Sequence, residues 1–136
     1  MPKHARQYWL MKSEPDEFSI DDLARVGSEP WSGVRNYQAR NFMWKQMRVG
    51  DGVFFYHSNA DVPGIYGLAT VASTPYPDPT QFDATSDYFD AKSTREDPRW
   101  WLVDVGFERK LSRPISLDEL RGHAEALDDF ALLRRG

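Results

Sequence analysis

The period of apolar and polar positions changes several times along this chain, and each change marks an element. Residues 7–12, Gln-Tyr-Trp-Leu-Met-Lys, set Tyr8, Leu10 and Lys12 against Trp9 and Met11. Aromatic content without turn residues predicts a strand there. It ends at Ser13-Glu14-Pro15, because a proline drives the residue before it out of the helical region. Ser19 then caps a short helix, with Asp22 standing in for the capping-box Glu, Phe18 and Leu23 at the staple positions, and Gly27 at the stop. The same device recurs late, with Ser116 as cap, Glu119 as the acid, Ile115 and Leu120 as the staple, and Gly122 a turn later. Between these lie a helix capped by Asn36, whose Ala39, Met43 and Met47 share one face, and two β runs, 53–56 and 65–72. Gly67 inside the second run predicts a bulge or a close backbone approach. Trp101, Val103, Val105 and Phe107 alternate with Leu102, Asp104, Gly106 and Glu108, the clearest half-buried strand. Residues 73–99 carry four prolines and five aspartates with no surviving period, which predicts a long loop of the kind that often binds something. Short strands with short helices around them, and no regular βαβ spacing, predict an α+β fold. Its form would be a small mixed or antiparallel β-barrel with short helices packed outside.

Composition narrows the function. A chain of 136 residues with 40% apolar and 14% aromatic residues is long and greasy enough for one ordinary core. Without cysteine there are no disulfides, thiolate nucleophiles or zinc fingers. His4, His57 and His123 show no metal-ligand spacing, and the aspartates of 73–99 do not match a calcium loop, so no metal is expected. No apolar run reaches the roughly 18 residues of a membrane helix, and the N-terminus lacks a signal-peptide core. These features predict a soluble cytoplasmic protein. The net charge of −4 argues against a uniformly basic coat, yet residues 31–50 hold Arg35, Arg40, Lys45 and Arg48 with no acid, leaving −8 for the rest.

Three constellations could carry chemistry. In 31–50, Trp31, Tyr37, Phe42 and Trp44 and the amides Asn36, Gln38 and Asn41 interleave with the cations. Cations track phosphates, aromatic faces stack bases and amides read base edges, although an amphipathic helix with a solvated basic face would look the same. Lys12-Ser13-Glu14 and Tyr56-His57-Ser58-Asn59 each end a strand with polar side chains that can line a pocket, or simply build a turn. His57 beside Ser58 is a poor nucleophile–base pair, because neighbours on an extended chain point to opposite sides and no G-x-S-x-G elbow surrounds Ser58.

Seven segments together, YWLMKSEPDEFSIDDL, WSGVRNYQARNFMWKQMRVGD, VFFYHSN, PGIYGLATV, YPDPTQFD, DPRWWLVDV and RPISLDEL, resemble the EVE domain of the thymocyte nuclear protein family. The resemblance runs from about Tyr8 to Arg135 and implies a single PUA-like β-barrel domain over residues 1–136, related to YTH and ASCH domains. It implies a non-catalytic nucleic-acid reader whose pocket accepts a modified cytosine or similar base, in DNA or RNA; no cofactor and a monomer are expected. Carried over by motif, Lys12, Ser13, Glu14, Trp31, Val34, Asn36, Asn41, Tyr56, His57 and Ser58 fall at the pocket. Trp31 is expected as a cage wall, and Arg35, Arg40, Lys45 and Arg48 as phosphate contacts. Relatives continue past the Leu-Arg-Arg-Gly motif with a further strand and a last helix, whereas this sequence stops at Gly136, so an open barrel edge is expected. Two rival readings remain: a small-molecule enzyme using Glu14, Lys12 and His57, and a protein-interaction domain using the 73–99 loop.

Overall fold

The computed structural model describes residues 6–121 and 131–134; the expected helix stop at Gly122, with His4 and His123, lies outside them. Tyr8–Ser13 forms strand β1, and Ile20–Val26 forms helix α1 behind it. The predicted capping box is present in full. Ser19 Oγ accepts from the Asp22 amide at 3.1 Å, Asp22 Oδ2 accepts from the Ser19 amide at 2.9 Å, and Gly27 closes the helix at φ 85°. Strand β2 (Ser28–Pro30) follows, then helix α2 (Tyr37–Asn41), which widens into a π turn over Phe42–Gln46. Ala39, Met43 and Met47 are all buried, so the apolar face survives the change of winding.

Strands β3 (Gly52–His57) and β4 (Gly64–Val71) form an antiparallel pair, while β1 lies parallel to β3 with Ser13 opposite His57. The 73–99 segment holds a two-residue strand β5 (Tyr76–Pro77) and a 3-10 turn over Pro79–Phe82. The alternating run at 101 breaks at Val103: β6 (Trp101–Leu102) pairs with β5, and β7 (Asp104–Ser116) joins the main sheet. Helix α3 (Leu117–Arg121) starts where β7 stops, with the Glu119 amide donating to Ser116 Oγ at 3.2 Å. Strand β8 (Ala131–Arg134) runs parallel to β1 on its outer side. The main sheet has the order β2-β7-β4-β3-β1-β8, a curled mixed sheet with short helices against it. This is the α+β architecture that the pattern predicts.

Side chains alternate across strands, so the sheet carries two clusters. Trp9, Met11, Val53, Phe55, Ala69, Val71 and Val105 face the principal core with Ile20, Leu23, Trp31 and Met43. Leu10, Tyr56 and Ile65 face the other side, under Leu111, Ile115, Leu117 and Leu120. Gly67 is the expected close approach: a Cβ there would meet Ile20 Cδ1 at 2.4 Å, and the β4–β7 register shifts beside it. Asp51, which reads as a turn residue in the sequence, is buried. It accepts from the Gln7 and Arg48 amides and from Trp9 Nε1 at 3.0–3.1 Å.

Candidate nucleic-acid interface

The parallel pairing of β1 with β3 brings two of the three predicted constellations to one corner. Lys12 lies opposite Tyr56 and Ser13 opposite His57, and the Ser58 amide donates to the Ser13 carbonyl at 3.0 Å. At the rim, Asn59 Nδ2 donates to Glu14 Oε1 at 3.3 Å. Asn59 holds a left-handed backbone at φ 52°, which turns the chain sharply out of the strand.

Alternation divides the corner between two faces. The Lys12 ammonium sits 5.1 Å over the Tyr56 ring on the side of the smaller cluster. Ser13 and His57 point to the principal core: Ser13 Oγ donates to the Phe18 carbonyl at 2.7 Å, and His57 packs edge-on against Phe55 and stacks on Tyr66 at 4.0 Å. Lys12 and His57 therefore lie on opposite faces of the sheet. The alternative enzyme cleft of Glu14, Lys12 and His57 is corrected on that geometry. His57 Nε2 is also occupied, accepting from the Ile20 amide at 3.1 Å and so satisfying the first helical N–H of α1. Burial holds the imidazole below its usual pKa; Lys110 adds to that and Asp21 opposes it.

The Trp31–Asn41 block packs into the core beside the strands that carry the corner. Trp31, expected as an open cage wall, is instead fully buried, edge-on to Phe55 at 5.6 Å. Its amide donates to the Val103 carbonyl, which prolongs the β2 edge and turns the ring inward. Val34 is buried in the same cluster. Asn36 is the helix cap, its Oδ1 accepting from the Ala39 amide at 2.9 Å, and Asn41 Oδ1 accepts from Arg40 Nε at 3.0 Å.

Among the four cations, the expected phosphate role of Arg35 is corrected by its bonding. All five guanidinium N–H groups are engaged, by the Tyr88 carbonyl twice, the Val34 carbonyl, Asp78 Oδ2 and Thr80 Oγ1. Asp78 is buried and also accepts from the Gly33 and Thr80 amides. Arg35 thus rivets the 31–36 segment to the 78–88 strap. Arg40 is half committed, its Nη1 donating to the Arg99 carbonyl at 2.6 Å. Lys45 and Arg48 are exposed.

The 73–99 segment is less open than its composition predicts. Asp78, Asp83 and Asp90 each accept from the amide two residues on, the Asx-turn pattern, which Asp-x-Thr spacing could have signalled at the first two. Buried Gln81 bonds the Asp78 and Trp100 carbonyls through Nε2 and the Arg99 and Trp100 amides through Oε1. Trp100 Nε1 donates to Asp90 Oδ2 at 2.7 Å, which keeps that carboxyl below its ordinary pKa. The aspartates tie the strap to itself and to the body. Among the described residues no cluster of His, Cys, Asp and Glu could hold a metal ion.

Three residues missed in the sequence complete an aromatic face. Tyr37 stacks on Trp100 at 4.8 Å and 17°, and Trp44 stacks on Trp101 at 4.8 Å and 6°. Tyr88 covers Gly33, where a Cβ would meet the ring at 2.7 Å. A separate cavity of about 360 Å³ lies along β7 between Arg109 and Ile115, beside the Arg113–Glu119 ion pair.

Comparison with known proteins points to one family. A family model described as EVE domain matches residues 7–136. Thymocyte nuclear protein 1 of Mus musculus is 44% identical over 135 residues, covering 91% of this chain and 59% of that protein. The chain spans about three fifths of the length of such relatives. A solved Pseudomonas putida protein is 50% identical with a TM-score of 0.84, over 89% of this chain and 80% of that one. The human THYN1 protein, solved in complex with 5-methylcytosine-containing DNA, is 43% identical with a TM-score of 0.81, over 89% and 77% of the two chains.

Proposed function

Because the chain belongs to the EVE domain family, we propose that it is a non-catalytic module that reads a modified cytosine in DNA. The observation that carries this reading is its 43% identity and TM-score of 0.81 to the human protein bound to 5-methylcytosine-containing DNA. The strand-end corner has the chemistry to match. Cytosine offers an N4 amino donor, for which a carboxylate is the natural acceptor. Glu14 presents one at the rim, half-buried, and the neighbouring Asn59 amide and Ser58 hydroxyl are donors for the N3 and O2 acceptors of the same edge. A base can meet these groups only when it leaves the stack, so the substrate is a flipped or unpaired nucleotide. One added methyl is worth about 0.8 kcal/mol, roughly fourfold in affinity, so hydrogen bonds choose the base and the methyl adds a modest preference.

Binding titrations by fluorescence anisotropy test this. Short DNA and RNA strands would carry cytosine, 5-methylcytosine or thymine at one position. The expected order is methylated DNA tightest, by roughly fourfold, with Glu14→Gln losing the preference for cytosine over thymine. Equal affinity for methylated and unmethylated strands would overturn the reading.

A further inference from the structure

The basic–aromatic segment lies outside the strand-end corner, and its geometry is too ordered for a merely solvated helix face. Tyr37, Arg40 and Trp44 stand at i, i+3 and i+7 on α2 and the π turn that continues it, which brings them to one side. Tyr37 lies flat on buried Trp100, and 52% of the residue is exposed. Trp44 and Trp101 are nearly parallel and both half-exposed. The Arg40 guanidinium sits 4.7 Å from the Tyr37 centroid and 5.4 Å from that of Trp44, and the Lys45 ammonium lies 4.8 Å from Trp44. Among the described residues no carboxylate forms an ion pair with Arg40, Lys45 or Arg48. The chain is net acidic, yet residues 31–50 contain no acid, and three of their four cations, Arg40, Lys45 and Arg48, belong to this side.

Stacked, partly exposed rings with unneutralised cations over and beside them suit an unpaired polynucleotide: a base can join the ring stack while its phosphates find charge. A duplex offers no free base face to such a surface. We propose that the Tyr37–Arg40–Trp44–Trp101 face is a stacking platform for an unpaired nucleotide of the same DNA strand, with Lys45 and Arg48 contacting its phosphates. The proposal rests on the DNA-reading function above and adds the second half of the interface. Arg35 has no part in it, since its donors are spent on the strap.

The test uses Tyr37→Ala, Trp44→Leu and Lys45→Ala, each first shown by circular dichroism to melt cooperatively. Affinities are measured for single strands with and without 5-methylcytosine and for the matching duplexes. Each ring variant should weaken methylated and unmethylated single strands by the same factor, about 5- to 150-fold per lost stack, leaving their ratio unchanged. Lys45→Ala should flatten the log–log salt slope by about 0.7. Unchanged single-strand affinity in both ring variants overturns the platform, and so does a loss confined to methylated strands. A wild-type protein with no methyl preference, whose single-strand affinity still falls in the ring variants, would sink the base-reading function and leave the platform standing.

Discussion

Arg35 gives the sharpest separation between what composition suggests and what the structure shows. As one of four cations among aromatics it reads as a phosphate ligand, yet its guanidinium is a rivet inside the protein. Replacing it by methionine keeps an unbranched stem against Tyr88 and Trp100 and deletes the charge and all five donors. Breaking a buried ion pair from one side costs about 3–5 kcal/mol. Here Asp78 keeps the Gly33 amide, the Thr80 amide and the Thr80 hydroxyl, so its carboxylate is not stranded. The Arg35 side chain is also 22% exposed, so water can reach part of the gap. The lower end of the range, about 3 kcal/mol, follows. With about 2.1 cal/mol/K of unfolding entropy per residue, a chain of 136 residues loses about 10 °C of Tm for that amount. Differential scanning calorimetry reads the Tm, and anisotropy titrations at several salt concentrations read the slope for a single strand. The expected result is a large fall in Tm with the salt slope of the folded protein unchanged. A slope flattened by about 0.7, with Tm within a degree or two of wild type, would show that the guanidinium faces DNA and that the rivet is dispensable.

Trp31→Ala should behave as a core truncation, costing about 3–5 kcal/mol in urea unfolding; normal stability with binding abolished would return Trp31 to the pocket wall. His57 predicts a pH dependence whose sign follows from its lowered pKa. The unfolded chain takes up the histidine proton near 6.5 while the folded one resists, so the stabilising contribution is complete above about 6.5 and is lost as pH falls through the lower folded value. Tm measured from pH 7.5 to 5 should therefore fall more steeply in wild type than in His57→Gln, and parallel curves would refute the neutral, helix-capping imidazole.

What the sequence could disclose was local. Ser19 with Asp22, Ser116 with Glu119, and Asn36 as a cap are decided within four residues, and all three caps are found. Gly67 was legible because only a close approach rewards a glycine inside a strand. The misses have partners far away in the chain. Ser28-Glu29-Pro30 has no strand signal of its own and pairs only because β7 supplies the ladder. Strand β7 runs on through Lys110-Leu111-Ser112-Arg113 because β4 pairs with it across two register shifts, so the strand reaches the helix cap with no loop between. Asp78 and Arg35 are 43 residues apart, and nothing near either one distinguishes a rivet from a solvated charge. The candidate site divides in the same way. Strand ends at Lys12-Ser13-Glu14 and Tyr56-His57-Ser58 were legible as polar corners, but their meeting depends on a parallel pairing that no local pattern encodes. Once that register exists, alternation alone separates Lys12 from His57. The same topology that assembles a polar corner there therefore takes apart the acid–base pair that an enzyme would need.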